Sequence, residues 1–357
     1  MKHIINTDLL NKKISQFLNA EDYYLSTKNN DIFEQNLQRF FGVQNAISVS
    51  SGTAALHCSL IACNIKEGDE ILVPAISVPM SISPILYLKA KPIFVDSNLE
   101  NIDFDYEDLE NKITIKTKGI LAVYMWGCSY NIDKLLAICK RNNLFLIEDT
   151  CQSFGSRWKK KYLGTIGDLG CFSLKDGKII SSGEGGFILT NNFELASKCK
   201  NLRSHFSTSN YTQIGYNYRL SEIQALIANF QLTYISKILK YRKKQANYLI
   251  NHISKFDNIS PYKYYKEETS NLFSPLFFLN NQNFDFFSHL SDIGILNSVG
   301  SFNFCPVYRR KMISELYPNI FCKNSEKFVS KLLSLILLPN YSFKDLDLII
   351  NKISNLI

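Results

Sequence analysis

The chain has 357 residues, 46% of them hydrophobic and 20% charged, enough apolar material for a large core and two domains and too much for a disordered chain. Its formal net charge is +8, but the lysines are spread along the chain, and the blocks Lys159-Lys160-Lys161 and Arg242-Lys243-Lys244 are short. That argues for a solvated surface and against a nucleic-acid partner, while a mild positive field suits an anionic, for instance phosphorylated, substrate. The nine cysteines form no CxxC pair, and Cys58, Cys63, Cys139 and Cys171 lie in apolar runs, which points to reduced, buried thiols and away from a disulfide framework or a metal site. The first thirteen residues lack the apolar centre of a secretion signal, and the longest apolar run, 332–338, is too short to cross a bilayer. The expected location is the cytoplasm, with no membrane partner.

In chain order, apolar spacing predicts helices over 8–18 and 33–41, then a strand at 46–49 that runs into Ser51-Gly52-Thr53 and a second helix. Strands are expected at 70–74, 91–96, 119–124 and 144–149, separated by helices at 81–88, 106–112 and 132–142. This alternation implies right-handed crossovers and an α/β fold with a mostly parallel sheet covered on both faces. Ligands in such sheets sit at the carboxyl ends of the strands, where Thr53, Asp96 and Asp149 fall. A long helical stretch is expected over 220–253, then a smaller α+β region closing with a helix at 343–357. A boundary within 235–250 divides a large domain, 1–240, from a small one, 241–357.

The stretch from Cys171 to Asn192 has apolar ends and a polar, glycine-rich middle. Phe172-Ser173-Leu174 reads as the end of one strand and Phe187-Ile188-Leu189-Thr190 as the next. Between them Lys178 sits on a turn, and Gly183-Glu184-Gly185-Gly186 lets the backbone pass close to something flat or bulky. A lysine held partly out of water there is what Schiff-base chemistry needs, although a solvated turn lysine is the default without further signals. Ser51-Gly52-Thr53 is a phosphate seat in physical terms, with free N–H groups at a helix start; a plain N-cap reads the same way. Asp149 fits either an acid beneath a heteroaromatic cofactor or a cap of the next turn. Ser173 and Gln152 could bind a phosphate and a ring hydroxyl.

Taken together these segments resemble the DegT/StrS-type (DegT/DnrJ/EryC/StrS) family of sugar aminotransferases. The resemblance rests on Ser51-Gly52-Thr53-Ala54-Ala55-Leu56, Gly68-Asp69-Glu70-Ile71-Leu72-Val73-Pro74 and Pro92-Ile93-Phe94-Val95-Asp96. It continues through Glu148-Asp149-Thr150-Cys151-Gln152-Ser153-Phe154-Gly155, Lys178 with Gly183-Glu184-Gly185-Gly186, and Gly215-Tyr216-Asn217-Tyr218-Arg219. The stretch 335–339 looks like the family's closing strand. The resemblance implies a fold-type I, aspartate-aminotransferase-like enzyme using pyridoxal 5′-phosphate. Lys178 then matches the Schiff-base lysine, with Lys175 as the competitor, and Asp149 the acid at the pyridinium nitrogen. Gln152 matches the residue at the ring hydroxyl, and Gly52, Thr53 and Ser173 match the phosphate seat. Asn217 matches a residue that reaches the phosphate from the neighbouring subunit, so a homodimer is implied. The implied reaction moves an amino group from L-glutamate to a keto sugar, nucleotide-linked, in amino-sugar biosynthesis. A cyclitol or another small ketone is the alternative acceptor, and a non-catalytic regulator or binding protein the alternative class. The family's dehydratases carry histidine at the lysine position, which Lys178 opposes.

Three departures bear on the substrate. Val78 stands where the family usually stacks an aromatic residue on the cofactor, so the stacking contribution is lost. Asn303-Phe304-Cys305-Pro306-Val307-Tyr308 stands for a His-Tyr-x-Pro-x-His pattern, and Thr150 for the usual alanine after the acid. Glu184, His205, Arg219 and Tyr308 are the substrate-side candidates; for His205, on a loop after Arg203-Ser204, a solvent-facing side chain is an equal alternative.

Overall fold

The computed structural model describes residues 4–20, 28–204, 214–280 and 284–356. Helices α1 (Thr7–Leu18) and α2 (Lys28–Phe41) precede the strands β1 (Asn45–Val49), β2 (Glu70–Pro74), β3 (Lys91–Val95), β4 (Thr117–Val123) and β5 (Phe145–Asp149). Between these strands run α3 (Gly52–Ala62), α4 (Pro79–Tyr87), α5 (Tyr106–Asn111) and α6 (Ile132–Asn142). A short hairpin of β6 (Arg157–Trp158) and β7 (Lys161–Tyr162) leads to β8 (Leu169–Ser173) and β9 (Gly186–Thr190). Seven strands form one sheet in the order β1-β9-β8-β5-β4-β2-β3. Only β9 runs against its neighbours. This is the mostly parallel α/β sheet that the alternating pattern implies.

Two-residue periodicity divides the core into two faces. On β9, Phe187 and Leu189 point into one cluster and Ile188 into the other; on β1, Ala46 is set against Ile47 and Val49 in the same way. One face is aromatic: Phe172 and Phe187 stack 4.4 Å apart, with Phe41 and Phe154 packed around them. The other is covered by α3, which packs against α4, α7 (Phe193–Arg203), β8 and β9. Burial on several sides explains why α3 is apolar around its whole circumference.

The expected helix over 220–253 is two helices, α8 (Glu222–Leu232) and α9 (Ile235–Ile253). The apolar spacing continues across the join, but the Thr233 hydroxyl donates to the Phe230 carbonyl (2.7 Å) and Tyr234 leaves helical geometry (φ −102°, ψ 4°). The two halves of α9 serve different cores. Ile235 and Ile238 pack with Phe172 and Phe187, whereas Ala246, Leu249 and Ile253 pack with the C-terminal region. That region holds a three-stranded sheet, in the order β10-β12-β13, of β10 (Ile259–Pro261), β12 (Leu276–Leu279) and β13 (Leu332–Ser334). The intervening β11 (Glu268–Thr269) pairs with β6 instead. Four short helices lie between β12 and β13, α10 (Phe284–Asp292), α11 (Ser298–Phe302), α12 (Lys311–Leu316) and α13 (Lys323–Val329), and α14 (Phe343–Ser354) closes the fold. The closing strand therefore lies before the expected 335–339. Leu335 makes only an isolated bridge to Asn297, and Leu335 and Leu337 are apolar because they are buried in the small core. No helix among the described residues is long and apolar enough to cross a membrane.

Candidate active site

A cleft of about 140 Å³ opens at the carboxyl ends of β4, β5 and β8, against the first turns of α3 and α4. At α3, Ser51 is extended (φ −165°, ψ 165°) and its Oγ accepts the Ala54 N–H (3.0 Å). The serine caps the helix and leaves the first two N–H groups, of Gly52 and Thr53, directed out of it, where the helix dipole favours an anion. The N-cap and the anion seat are thus one construction. Gly52 is required by packing: a Cβ there would stand 2.9 Å from Cys151 Sγ and 3.0 Å from Ser173 Cβ. Burial, then the Asp149 carboxylate, pushes the Cys151 thiol pKa up, which disfavours its thiolate.

Asp149 ends β5 and is 4% exposed. Its Oδ2 accepts the Ser81 hydroxyl (2.6 Å) and its Oδ1 accepts the Cys151 N–H (3.1 Å). The preceding Glu148 has a different task. Its Oε1 accepts N–H groups from Ile166 (2.8 Å) and Gly167 (2.7 Å), and its Oε2 accepts Gly164 N–H (2.9 Å) and the Tyr124 hydroxyl (3.0 Å). Burial pushes the Glu148 pKa up against those four bonds. One acid at the strand end holds a loop, and the other faces the cleft.

Gln152 is oriented by the Trp126 N–H, which donates to its Oε1 (2.8 Å), and by Met125 Sδ, to which Nε2 donates one hydrogen (3.7 Å), leaving the other for a ligand. Trp126 itself has a left-handed backbone (φ 55°), held by its indole N–H bond to Ser298 Oγ (3.1 Å). Val78 is the N-cap of α4, half-buried on the cleft wall; α4 opens at Pro79, two residues before the expected start, because proline suits a first helical turn. The 303–308 stretch is fastened nearby by Val307 N–H to Ala75 O (2.8 Å), and Phe304 packs edge-on to Trp126 at 5.0 Å.

The Lys178 turn is tied on both sides. Leu174 N–H donates to Gly185 O (2.8 Å), Ser182 N–H to Leu174 O (2.9 Å) and Asp176 N–H to Gly183 O (3.1 Å). Gly177 (φ 86°) and Gly183 (φ 87°) make the reversals that other residues would resist. Gly186 lies so near Ser51 that a Cβ would sit 2.6 Å from its carbonyl oxygen, which draws the turn against the start of α3. Lys178 is half-buried, with Nζ 5.6 Å from the centre of the Phe273 ring.

Gly52, Thr53, Val78 and Asp149 therefore line one cleft with Gln152, Ser173, Lys178 and Glu184. Three other expected residues do not line it. Asn217 is exposed, between Tyr216 and Tyr218, whose N–H groups bond to the end of α7. Arg219 donates to Ser204 Oγ (3.1 Å) at the surface. Tyr308 is buried in the large core beside Phe94, donating to Glu326 Oε1 (2.6 Å) and accepting the Cys322 N–H (3.0 Å). His205 lies outside the described residues. Ser81, Tyr124 and Met125 line the cleft without having been singled out in sequence. The strand-end rule applied at 119–124 points to Tyr124, whereas Ser81 reads as an ordinary first-turn residue.

This fold is that of solved aminotransferases: Helicobacter pylori PseC, an aminotransferase involved in the biosynthesis of pseudoaminic acid, superposes with a TM-score of 0.88 at 24% identity, over 97% of this chain and 95% of that one. The model of the DegT/DnrJ/EryC1/StrS aminotransferase family matches residues 5–354, and the chain belongs to that family. It is 37% identical to the GDP-perosamine synthase of Escherichia coli O157:H7 over 65% of this chain, a match that takes in 64% of the synthase. It is 32% identical to the dTDP-3-amino-3,6-dideoxy-alpha-D-galactopyranose transaminase of Aneurinibacillus thermoaerophilus over 68% of each chain.

Proposed function

We propose that the chain is a pyridoxal 5′-phosphate-dependent aminotransferase that moves an amino group from L-glutamate to a nucleotide-linked keto sugar, as a cytoplasmic homodimer. The observation that carries this is the convergence of Lys178, Asp149 and the N-terminus of α3 on one cleft. The residues fit the cofactor. The first turn of α3 with Ser173 suits a phosphate, and the Gly52 backbone leaves room where a Cβ would collide. Val78 offers an apolar wall for one ring face, Asp149 a buried carboxylate for a ring nitrogen, and Gln152 Nε2 a donor for a ring hydroxyl. When bound, the pyridoxal ring supplies an electron sink for the substrate's Cα–H bond. Lys178 Nζ would anchor the cofactor and, as a free amine, would take and return the proton as general base and acid. Asp149 holds its carboxylate in place through Ser81 and the Cys151 N–H.

The nucleotide-linked acceptor is supported by relatives named for GDP- and dTDP-linked amino sugars. The dimer is supported by the exposed segment around Asn217 and by exposed Met80 (57%) and Tyr87 (59%) on α4 beside the cleft. Purified protein with pyridoxal 5′-phosphate is expected to absorb as a lysine-bound cofactor, and L-glutamate should abolish that band. A panel of GDP-, UDP- and dTDP-linked 3-keto and 4-keto sugars should yield an amine by mass. A Lys178→Ala protein that reacts with glutamate as the wild type does would rule out the lysine assignment.

A further inference from the structure

The cleft carries a second lysine that this chemistry does not use. Lys175 lines it together with Lys178 and Glu184. Its backbone is fixed by the same turn: its N–H donates to Ser173 Oγ (3.3 Å) and its carbonyl accepts the Lys178 N–H (3.2 Å). The adjacent acid, Asp176, is engaged elsewhere, its Oδ1 accepting the Ser181 hydroxyl (3.0 Å). Lys175 forms no ion pair among the described residues. Arginine is absent from the described wall of the cleft. With Lys178 given to the cofactor, Lys175 is the remaining cation there.

Both substrates of the proposed reaction are anions, since the amino donor carries carboxylates and a nucleotide-linked sugar carries a diphosphate. We infer that Lys175 is a specificity-determining residue whose ammonium binds a substrate oxyanion beside Lys178, either a donor carboxylate or the acceptor's diphosphate; this rests on the aminotransferase reading. A lysine ammonium is a point charge with three donors on a flexible stem, suited to either oxyanion. Because Lys175 is exposed, water competes for it, and its effect falls on binding more than on the chemical step.

The test uses the holoenzyme as wild type, Lys175→Met and Lys175→Arg, in two arms. One follows the cofactor absorbance change against L-glutamate concentration. The other titrates GDP, UDP and dTDP, the carriers without sugar, by calorimetry. Lys175→Met is expected to need about two- to fivefold more ligand in one arm, the order an exposed charge pair supplies. The limiting rate should stay within about twofold and Lys175→Arg should recover most of the loss, since charge and not exact geometry is read. The arm that shifts identifies the oxyanion. The inference is overturned if neither arm shifts, or if the limiting rate falls at unchanged half-saturation. It is overturned equally if Lys175→Met releases the cofactor more readily, which would assign Lys175 to the cofactor's phosphate. A wild-type holoenzyme inert to every amino acid is a separate failure: it removes the aminotransferase reading, and the inference with it.

Discussion

Ser81 decides how firmly Asp149 is held. The carboxylate is nearly dry and has two donors from its own chain, of which the Ser81 hydroxyl is the shorter. Hydrogen bonds to a charged group contribute about 1.5–3 kcal/mol, and an orphaned buried acceptor costs a comparable amount. Ser81→Ala is therefore expected to lower stability by about 1–2 kcal/mol and the turnover of L-glutamate by about tenfold, while Ser81→Thr keeps the hydroxyl and most of both. Urea unfolding and steady-state rates on the three proteins check this; a Ser81→Ala enzyme as active as wild type would detach the serine from the acid's function. Ser81 escaped notice in sequence because a serine in a first helical turn has a sufficient local explanation. Its partner is 68 residues away, and only the sheet brings the two together.

At the scale of elements, β11 docks on β6 with a carboxylic acid at the seam. Glu268 Oε1 accepts the Ser129 N–H (2.9 Å), while its Oε2, Ser129 Oγ and Tyr264 Oη are buried without hydrogen-bond partners among the described residues. Burial, reinforced by the Asp103 charge, pushes the Glu268 pKa from 4.5 up to about 8 against the Ser129 N–H bond. Between those values the unfolded chain has released the proton and the folded chain retains it, so stability falls as pH rises from about 4.5 to about 8 and is level above. Glu268→Gln keeps the Oε1 acceptor and removes the titration. The variant is expected to be more stable than wild type by about 1–3 kcal/mol at pH 8, below the full linkage value because the side chain is half-buried, with little difference near pH 5. Parallel stability curves for the two proteins from pH 5 to 8 would refute this. Elements such as β5 were legible because a buried parallel strand is an unbroken apolar run, and its terminal Glu148-Asp149 stands out against it. The break between α8 and α9 was not, because the apolar spacing runs on through Thr233 and only the side-chain bond to Phe230 shows where the helix stops. The partners of Tyr308 are equally hidden in sequence: its motif position suggests the pocket, while its hydroxyl bonds to Glu326 and Cys322, 18 and 14 residues away.

For the whole molecule, the position of Asn217 makes a prediction about pairs of chains. It is exposed and does not line the cleft of its own chain, so a cofactor role requires a second copy. Lys178→Ala and Asn217→Ala proteins should each be inactive alone. Mixed and reassociated, they should recover activity, because one site of each hybrid then combines a native Lys178 with a native Asn217. No recovery, with hybrids verified by native mass spectrometry, would place Asn217 outside the reaction. A different consequence follows from α9, whose first half packs with Phe172 and Phe187 and whose second half packs with Leu279 and Leu333. A helix shared in this way sets where relatives can be recombined. Chimaeras with relatives that exchange sequence at residue 240 keep each half of α9 with the core it packs against, whereas exchange before α8 or after Ile253 moves α9 intact and sets one of its halves against a foreign core. Swapping of acceptor preference between members of this family by cut-and-paste is thus directed to a junction inside α9.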